Sequence, residues 1–216
     1  MSDPIQLAVL LSAGGTTLQN FINRIRDGRM RARIVLAVSN RADAFGLVRA
    51  REAGIPTFLA ERKSFSTREE FSEVIFERCR AGKAELVCLA GFLQLLHIPD
   101  DFVGKVMNIH PALIPAFCGR GFYGHRVHEA VLAYGAKLSG CTVHFADNVY
   151  DHGPIILQRA VPVLDDDTPD SLAARVFEQE CEAYPEAIGL YAEGRLKIDG
   201  RKVRILREGT RMRDEG

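Results

Sequence analysis

The chain has 216 residues, 47% of them hydrophobic, enough for one α/β domain with a full core. Its 28 basic and 28 acidic residues cancel to a net charge of zero, which gives no reason to expect a nucleic-acid or anionic-membrane partner. Five cysteines (Cys79, Cys88, Cys118, Cys141, Cys181) form no C-x-x-C pair, so the chain reads as reduced and cytoplasmic, without a disulfide framework or zinc site.

Residues 5–11 are an apolar, β-rich run, too short for a membrane span and too strand-like for a signal segment. Ser12-Ala13-Gly14-Gly15-Thr16-Thr17 turns into a helix carrying Leu18, Phe21, Ile22 and Ile25 at helical spacing. A strand at 34–38 follows, then a helix at 44–53 with Phe45, Leu47 and Val48 as its apolar residues, then a strand at 55–59. Ser66 and Glu69 form a capping-box pattern, predicting a helix to about Arg80. Strands are predicted at 86–90 and 102–108. This alternation argues for an α/β fold with a doubly wound, mostly parallel sheet.

The second half reads differently. A helix is predicted over 124–132. Residues 139–145 and 155–161 read as a hairpin with a long loop, and 171–192 as a long amphipathic helix. A small hairpin, 195–198 with 202–205, turns at Asp199-Gly200. The fold therefore closes in C-terminal antiparallel strands. No repeat or linker divides residues 1–216, and about 207–216 reads as a frayed tail.

Two segments carry chemistry. Asn108-Ile109-His110-Pro111 and Asp151-His152-Gly153-Pro154 each follow an apolar run, at 102–107 and 141–145, so their polar groups are expected just past strand ends. A histidine beside an amide, held by a distant aspartate that raises its pKa, suits the oxyanion of an acyl transfer. Taken singly, His110 also reads as a cap or core histidine and Asp151 as a turn residue. The Gly14-Gly15-Thr16-Thr17 turn suits a phosphate at a helix N-terminus, or is a plain strand-to-helix turn. It lacks the lysine of a nucleoside-triphosphatase loop and the spacing of a dinucleotide fingerprint, though Arg41 could meet a 2′-phosphate. Leu93, Gln94, Leu95 and Leu96 read as core or as the wall of a pocket for a flat heterocycle. Glu180 reads as a solvated helix residue or a hydrogen-bond acceptor for substrate. His125 and His128 stand at i, i+3, which makes a metal site conceivable, but with His144 in an apparent strand, His152 elsewhere and no H-E-x-x-H, no metal is expected.

Together these pieces resemble the phosphoribosylglycinamide formyltransferase family, folate-dependent enzymes of purine biosynthesis. The resemblance runs from about Leu7 to Leu196. It rests on Gly15-Thr16-Thr17, Ser39-Asn40-Arg41-Ala42-Asp43-Ala44-Phe45-Gly46-Leu47, Phe65-Ser66-Thr67-Arg68, Leu89-Ala90-Gly91-Phe92 and Asn108-Ile109-His110-Pro111-Ala112-Leu113-Ile114-Pro115. Val143-His144-Phe145, the run from Asp151 to Gln158, and Gln179-Glu180 complete it. It implies a Rossmann-like formyltransferase fold and 10-formyltetrahydrofolate as co-substrate. By the resemblance, Gly15, Thr16 and Thr17 bind the phosphate of phosphoribosylglycinamide, and Glu180 its ribose or glycinamide end. Arg68, Leu93, Gln94, Leu95, Leu96 and Asn108 bind the folate, with the loop before Asp151 around the pterin. His110 is the proton donor and Asp151 raises its pKa. The chain departs from the family at Ala13-Gly14, where Gly-Asn is common, and at Gln94, where arginine is common. Residues 118–124 form a longer stretch than in some members.

The expected partners are small molecules only, with no nucleic acid and no membrane, and the expected state is a monomer or homodimer. Formyltetrahydrofolate hydrolase is the nearest alternative and is expected to carry an extra N-terminal domain. Methionyl-tRNA formyltransferase is expected to carry an extra C-terminal one. A nicotinamide-dependent reductase and a non-catalytic folate-binding module are the remaining alternatives.

Overall fold

Leu7, Val9 and Leu11 point to one side of the first strand, and Ala8 and Leu10 to the other; all are fully buried. A strand apolar on both faces belongs in the middle of a sheet covered on both sides. The structure is a computed structural model describing residues 3–207; residues 1–2 and 208–216, which hold most of the expected frayed tail, lie outside the described residues. The elements are β1 (Ile5–Leu11), α1 (Thr16–Arg26), β2 (Ala32–Ser39), α2 (Phe45–Glu52), β3 (Thr57–Leu59), α3 (Arg68–Ala81), β4 (Leu86–Leu89), β5 (Val106–His110), α4 (His125–Tyr134), β6 (Leu138–Phe145), β7 (Ile155–Pro162), α5 (Pro169–Ala192), β8 (Leu196–Asp199) and β9 (Lys202–Ile205).

The strands form a nine-stranded sheet in the order β3-β2-β1-β4-β5-β6-β7-β9-β8. The first five run parallel. β6 and β7 continue antiparallel, β9 runs parallel to β7, and β8 closes antiparallel on β9. This is the expected α/β class with a parallel core and antiparallel C-terminal strands. Helices α1, α2, α4 and α5 cover one face, and α3 covers the other. Each large apolar side chain so buried contributes about 1.5–3 kcal/mol. The strand order reverses between β1 and β4, and such a switch point opens a crevice at the strands' carboxyl ends. No helix of the described residues is long and apolar enough to cross a membrane.

Tyr184 and Pro185 lock α5 to the rest. The buried Tyr184 hydroxyl lies 2.8 Å from the Met107 carbonyl and 3.2 Å from that of Leu89, bridging β4 and β5. Pro185 has no N–H, which frees the Cys181 carbonyl one turn earlier. Asn20 of α1 fills the gap, donating to that carbonyl at 3.0 Å.

Two expectations are corrected. The strand placed at 102–108 begins only at Val106. Phe102 sits in a short 3₁₀ turn against Phe76, and Gly104 has φ +73°, outside the extended region of a regular strand. The capping box of α3 lies one residue later than expected. Thr67 Oγ1 accepts the Glu70 N–H, and the Glu70 carboxylate accepts the N–H groups of Ser66 and Thr67. Both registers fit the sequence pattern; Glu70 prevails by satisfying two backbone donors at once, where a cap contributes about 1 kcal/mol. In α2, Leu47 is buried while Phe45 and Val48 are exposed, and Gly46 and Ala50 share the packing face with Leu47.

Candidate active site

β5 brings the first two functional side chains together. Asn108 and His110 are two residues apart in an extended strand and share a face. They were expected beyond the strand end. Instead β5 runs through His110, because β6 pairs with it, Asn108 facing His144 and His110 facing Thr142. Thr142, fully buried, fixes the chain that follows: its Oγ1 donates to the Ala112 carbonyl at 2.7 Å and accepts the Ile114 N–H at 3.1 Å.

Asp151 arrives from the long loop of the β6–β7 hairpin. Gly153 makes the loop's neck possible, since a Cβ there would meet the Phe145 carbonyl oxygen at 1.9 Å. Asp151 Oδ2 accepts the Gly119 N–H at 2.8 Å and lies 3.5 Å from His110 Nδ1. Oδ1 accepts from Asn108 Nδ2 at 3.2 Å. Asn108 Nδ2 also lies 3.1 Å from His144 Nε2. His144 Nδ1 faces the Phe145 carbonyl at 2.8 Å, so Nδ1 carries the proton and Nε2 accepts. Both N–H bonds of the Asn108 amide are thus engaged, and one must leave its partner before it can serve an oxyanion.

His110 Nε2 lies 2.8 Å from the Phe117 carbonyl, which can only accept. Nε2 therefore keeps its hydrogen in either charge state. Burial pushes the His110 pKa below the ordinary histidine value, while Asp151 and the Phe117 carbonyl pull it up. The expected upward pull of Asp151 is present, but the net shift is downward because desolvation of a nearly inaccessible imidazole outweighs it. Burial raises the Asp151 carboxyl, yet the hydrogen bonds and charge around it, among them His110 and the Gly119 N–H, hold it below the usual carboxylate value.

The stretch 118–124, without a role assigned from the sequence, forms the clamp of the site together with Phe117. Phe117 holds His110 and Gly119 holds Asp151. Phe117 and Asp151 are non-glycine residues with φ of +49° and +51°. Such conformations cost of order 1–2 kcal/mol each and concentrate at functional sites. Edge-on packing of Phe117 against Tyr134, with centroids 5.7 Å apart, helps to hold it there.

Three adjoining cavities surround these groups. The central one, 330 Å³, is lined by Asn108, His110, Asp151 and the stretch 119–124, and Leu93 forms part of its wall. A second, 60 Å³, shares Asn108, Tyr150 and Asp151 with it and is walled by Gln94, Leu95, Leu96 and His144. A third, 280 Å³, shares Gly91, Ile109, Pro111 and Gly124 with the central one. It is lined by Gly15, Thr16, Thr17 and Glu180. Gly15 is the left-handed N-cap of α1 with no side-chain cap, so the first N–H groups of α1 have no partner within the helix. Glu180 is half-buried, and burial alone raises its carboxyl to about 7. Arg68 opens α3 outside all three cavities, beside Glu69. Its carbonyl accepts the Ser72 hydroxyl, whose oxygen in turn accepts the His97 N–H. Arg41 is engaged bidentately by Asp43, which occupies the fork that a 2′-phosphate would need.

Two residues without an assigned role also belong here. His144 orients Asn108. His128 lines the third cavity, nearly inaccessible, with its Nδ1 unpartnered and its pKa lowered to about 4 by burial, then by His125 and His110. Its spacing from His125 is all the sequence offered. Among the described residues, no group of three or more His, Cys, Asp or Glu side chains is placed to hold a metal.

The profile of the Formyl transferase family matches residues 5–188. The phosphoribosylglycinamide formyltransferase of Haemophilus influenzae is 39% identical over 195 residues, covering 89% of this chain and 90% of that protein. The trifunctional purine biosynthetic protein adenosine-3 of Gallus gallus is 40% identical over 199 residues, and this chain spans only 19% of its length. Glycinamide ribonucleotide transformylase 1 from Symbiobacterium toebii superposes with a TM-score of 0.86 at 43% identity, covering 94% of each chain.

Proposed function

The chain belongs to the formyl transferase family, and from that premise we propose that it transfers the formyl group of 10-formyltetrahydrofolate to the amine of 5-phosphoribosylglycinamide. The products are the N-formyl derivative and tetrahydrofolate, a step of purine biosynthesis. The observation that carries this reading is the central cavity lined by Asn108, His110 and Asp151, with a second cavity sharing Asn108 and Asp151 on one side and a third sharing Gly91, Ile109, Pro111 and Gly124 on the other. The folate's flat ring suits the walls formed by Leu93, Gln94, Leu95, Leu96 and Tyr150. The acceptor suits the third cavity, with its phosphate on Gly15, Thr16 and Thr17 and its ribose or glycinamide on Glu180. Arg68, outside the cavities, is the folate contact with the least support.

The chemistry needs no covalent nucleophile. The amine nitrogen attacks the formyl carbon, a C–N bond forms, and the carbonyl π pair moves onto oxygen. His110 Nε2–H, once it leaves the Phe117 carbonyl, and an Asn108 N–H that has left its own partner stabilise that oxyanion, each contributing a few kcal/mol. Collapse breaks the bond to the folate nitrogen, which takes up a proton as the former amine loses one. His110 serves this exchange directly or through water, and Asp151 orients it.

We assign residues 1–216 to one formyltransferase domain, because a single sheet carries both cores. We place the chain in the cytoplasm, where a reducing pool keeps its five free cysteines unpaired.

Purified protein given 10-formyltetrahydrofolate and phosphoribosylglycinamide is expected to release tetrahydrofolate only when the acceptor is present. Equal turnover without an acceptor, with formate as product, favours the hydrolase instead. In an NMR titration, inorganic phosphate is expected to shift the amides of Gly15, Thr16 and Thr17 first. Shifts confined to other segments contradict the placement of the phosphate.

A further inference from the structure

The geometry points to Arg49 of α2 as a positioning residue for the phosphate turn, one that sets acceptor selectivity without touching substrate. The inference rests on the reaction proposed above. Its starting point is the two carbonyls that precede α1. The Ala13 carbonyl accepts the Gly46 N–H at 3.0 Å. The Gly14 carbonyl accepts Arg49 Nε at 2.9 Å. A planar trans peptide points its N–H opposite its C=O. Drawing both carbonyls toward α2 therefore turns the N–H groups of Gly14 and Gly15 away from α2. Both residues line the 280 Å³ cavity assigned to the acceptor, and Arg49 does not.

Without that hold, the Gly14–Gly15 peptide has no reason to keep this orientation. Flipped, it would aim a carbonyl oxygen where its N–H stood and repel an anion. Gly15 has φ +70°, and a Cβ there would meet Gly46 Cα at 2.6 Å, so the turn and α2 touch backbone to backbone. This close contact brings Arg49 within reach of Gly14.

Arg49 is itself fixed on three sides. Nη1 donates to Gln19 Oε1 at 2.9 Å, and Gln19 Nε2 donates to Asn23 further along α1. The guanidinium lies over the Phe45 ring, 5.0 Å from its centroid. These partners are a carbonyl, an amide and an aromatic face, none of which neutralises the charge. A cation thus stays behind the turn and favours an anion in front of it. The exposed Phe45 has this cation as its partner.

The test compares wild type with Arg49→Met and Gln19→Leu, using 10-formyltetrahydrofolate and two acceptors: phosphoribosylglycinamide and its dephosphorylated ribosylglycinamide. The quantity read is the ratio of kcat/KM for the phosphorylated over the unphosphorylated acceptor. Arg49→Met is expected to lower that ratio about tenfold, through KM of the phosphorylated acceptor, with KM for the folate unchanged. Gln19→Leu removes only one anchor of the guanidinium and is expected to lower the ratio about two- to threefold. An unchanged ratio in both variants overturns the inference, whether the overall rates hold or fall together, since a merely structural role weakens both acceptors alike. Should Arg49→Met fail to fold, the Gln19→Leu ratio decides. A wild type that formylates neither acceptor overturns the assigned reaction, and this inference with it.

Discussion

Replacing His110 with alanine is expected to lower kcat by at least ~100-fold while the fold stays intact, the scale lost with a general acid or base. His110 faces the central cavity with an Nε2–H fixed by the Phe117 carbonyl, and no other imidazole occupies that position. Asp151→Asn is expected to cost a similar factor, because it removes the charge that raises the His110 pKa against burial. The sign follows directly. Without that carboxylate the imidazole loses its proton at lower pH, so the limb of the kcat–pH profile that reports protonated His110 moves toward acid. The double variant is expected to lose little more than either single one, since residues acting as a unit fail together. Steady-state kinetics on variants with native circular dichroism and thermal midpoint decide the matter. Near wild-type turnover in either folded single variant removes that residue from the proposed mechanism.

The alternation of strands and helices was legible because burial imposes it locally. Residues 5–11 are apolar on both sides since both sides meet helices, and Leu18, Phe21 and Ile22 fall on one stripe of α1. The errors arose where a distant partner decides. Phe102 looks like strand until Phe76 claims it and Gly104 turns the chain. His110 and Asp151 could be chosen by residue type and motif, but their clamp could not. Phe117 and Gly119 act through a carbonyl and an N–H, which every residue possesses and no side-chain pattern reveals. The same holds for Gly14, whose carbonyl orients the turn. The net direction of the His110 shift was missed for a related reason. The sequence shows that an aspartate is available, whereas the desolvation opposing it is a property of the packed interior.

Acceptor choice is expected to depend on contacts far from the reacting amine. Glycinamide alone offers the same nucleophile but neither ribose nor phosphate. If the N–H groups of Gly15, Thr16 and Thr17 hold the phosphate and Glu180 holds the middle of the molecule, that remote binding positions the amine against the formyl carbon. Losing it forfeits several kcal/mol of transition-state binding, and each ~1.4 kcal/mol is a factor of ten. The expected kcat/KM for glycinamide is therefore several orders of magnitude below that for phosphoribosylglycinamide. Glu180 adds a pH signature. Burial holds its carboxyl near 7, so its acceptor capacity is complete above that value and is lost as pH falls through it. KM for phosphoribosylglycinamide is expected to rise on the acid side in wild type and to lose that dependence in Glu180→Gln. The measurement is formyl transfer from 10-formyltetrahydrofolate to phosphoribosylglycinamide, glycinamide and methionyl-tRNA across pH, with product identified by mass. Comparable efficiency with glycinamide would show that the third cavity does not grip the acceptor. Preference for methionyl-tRNA would move the chain to another branch of its family.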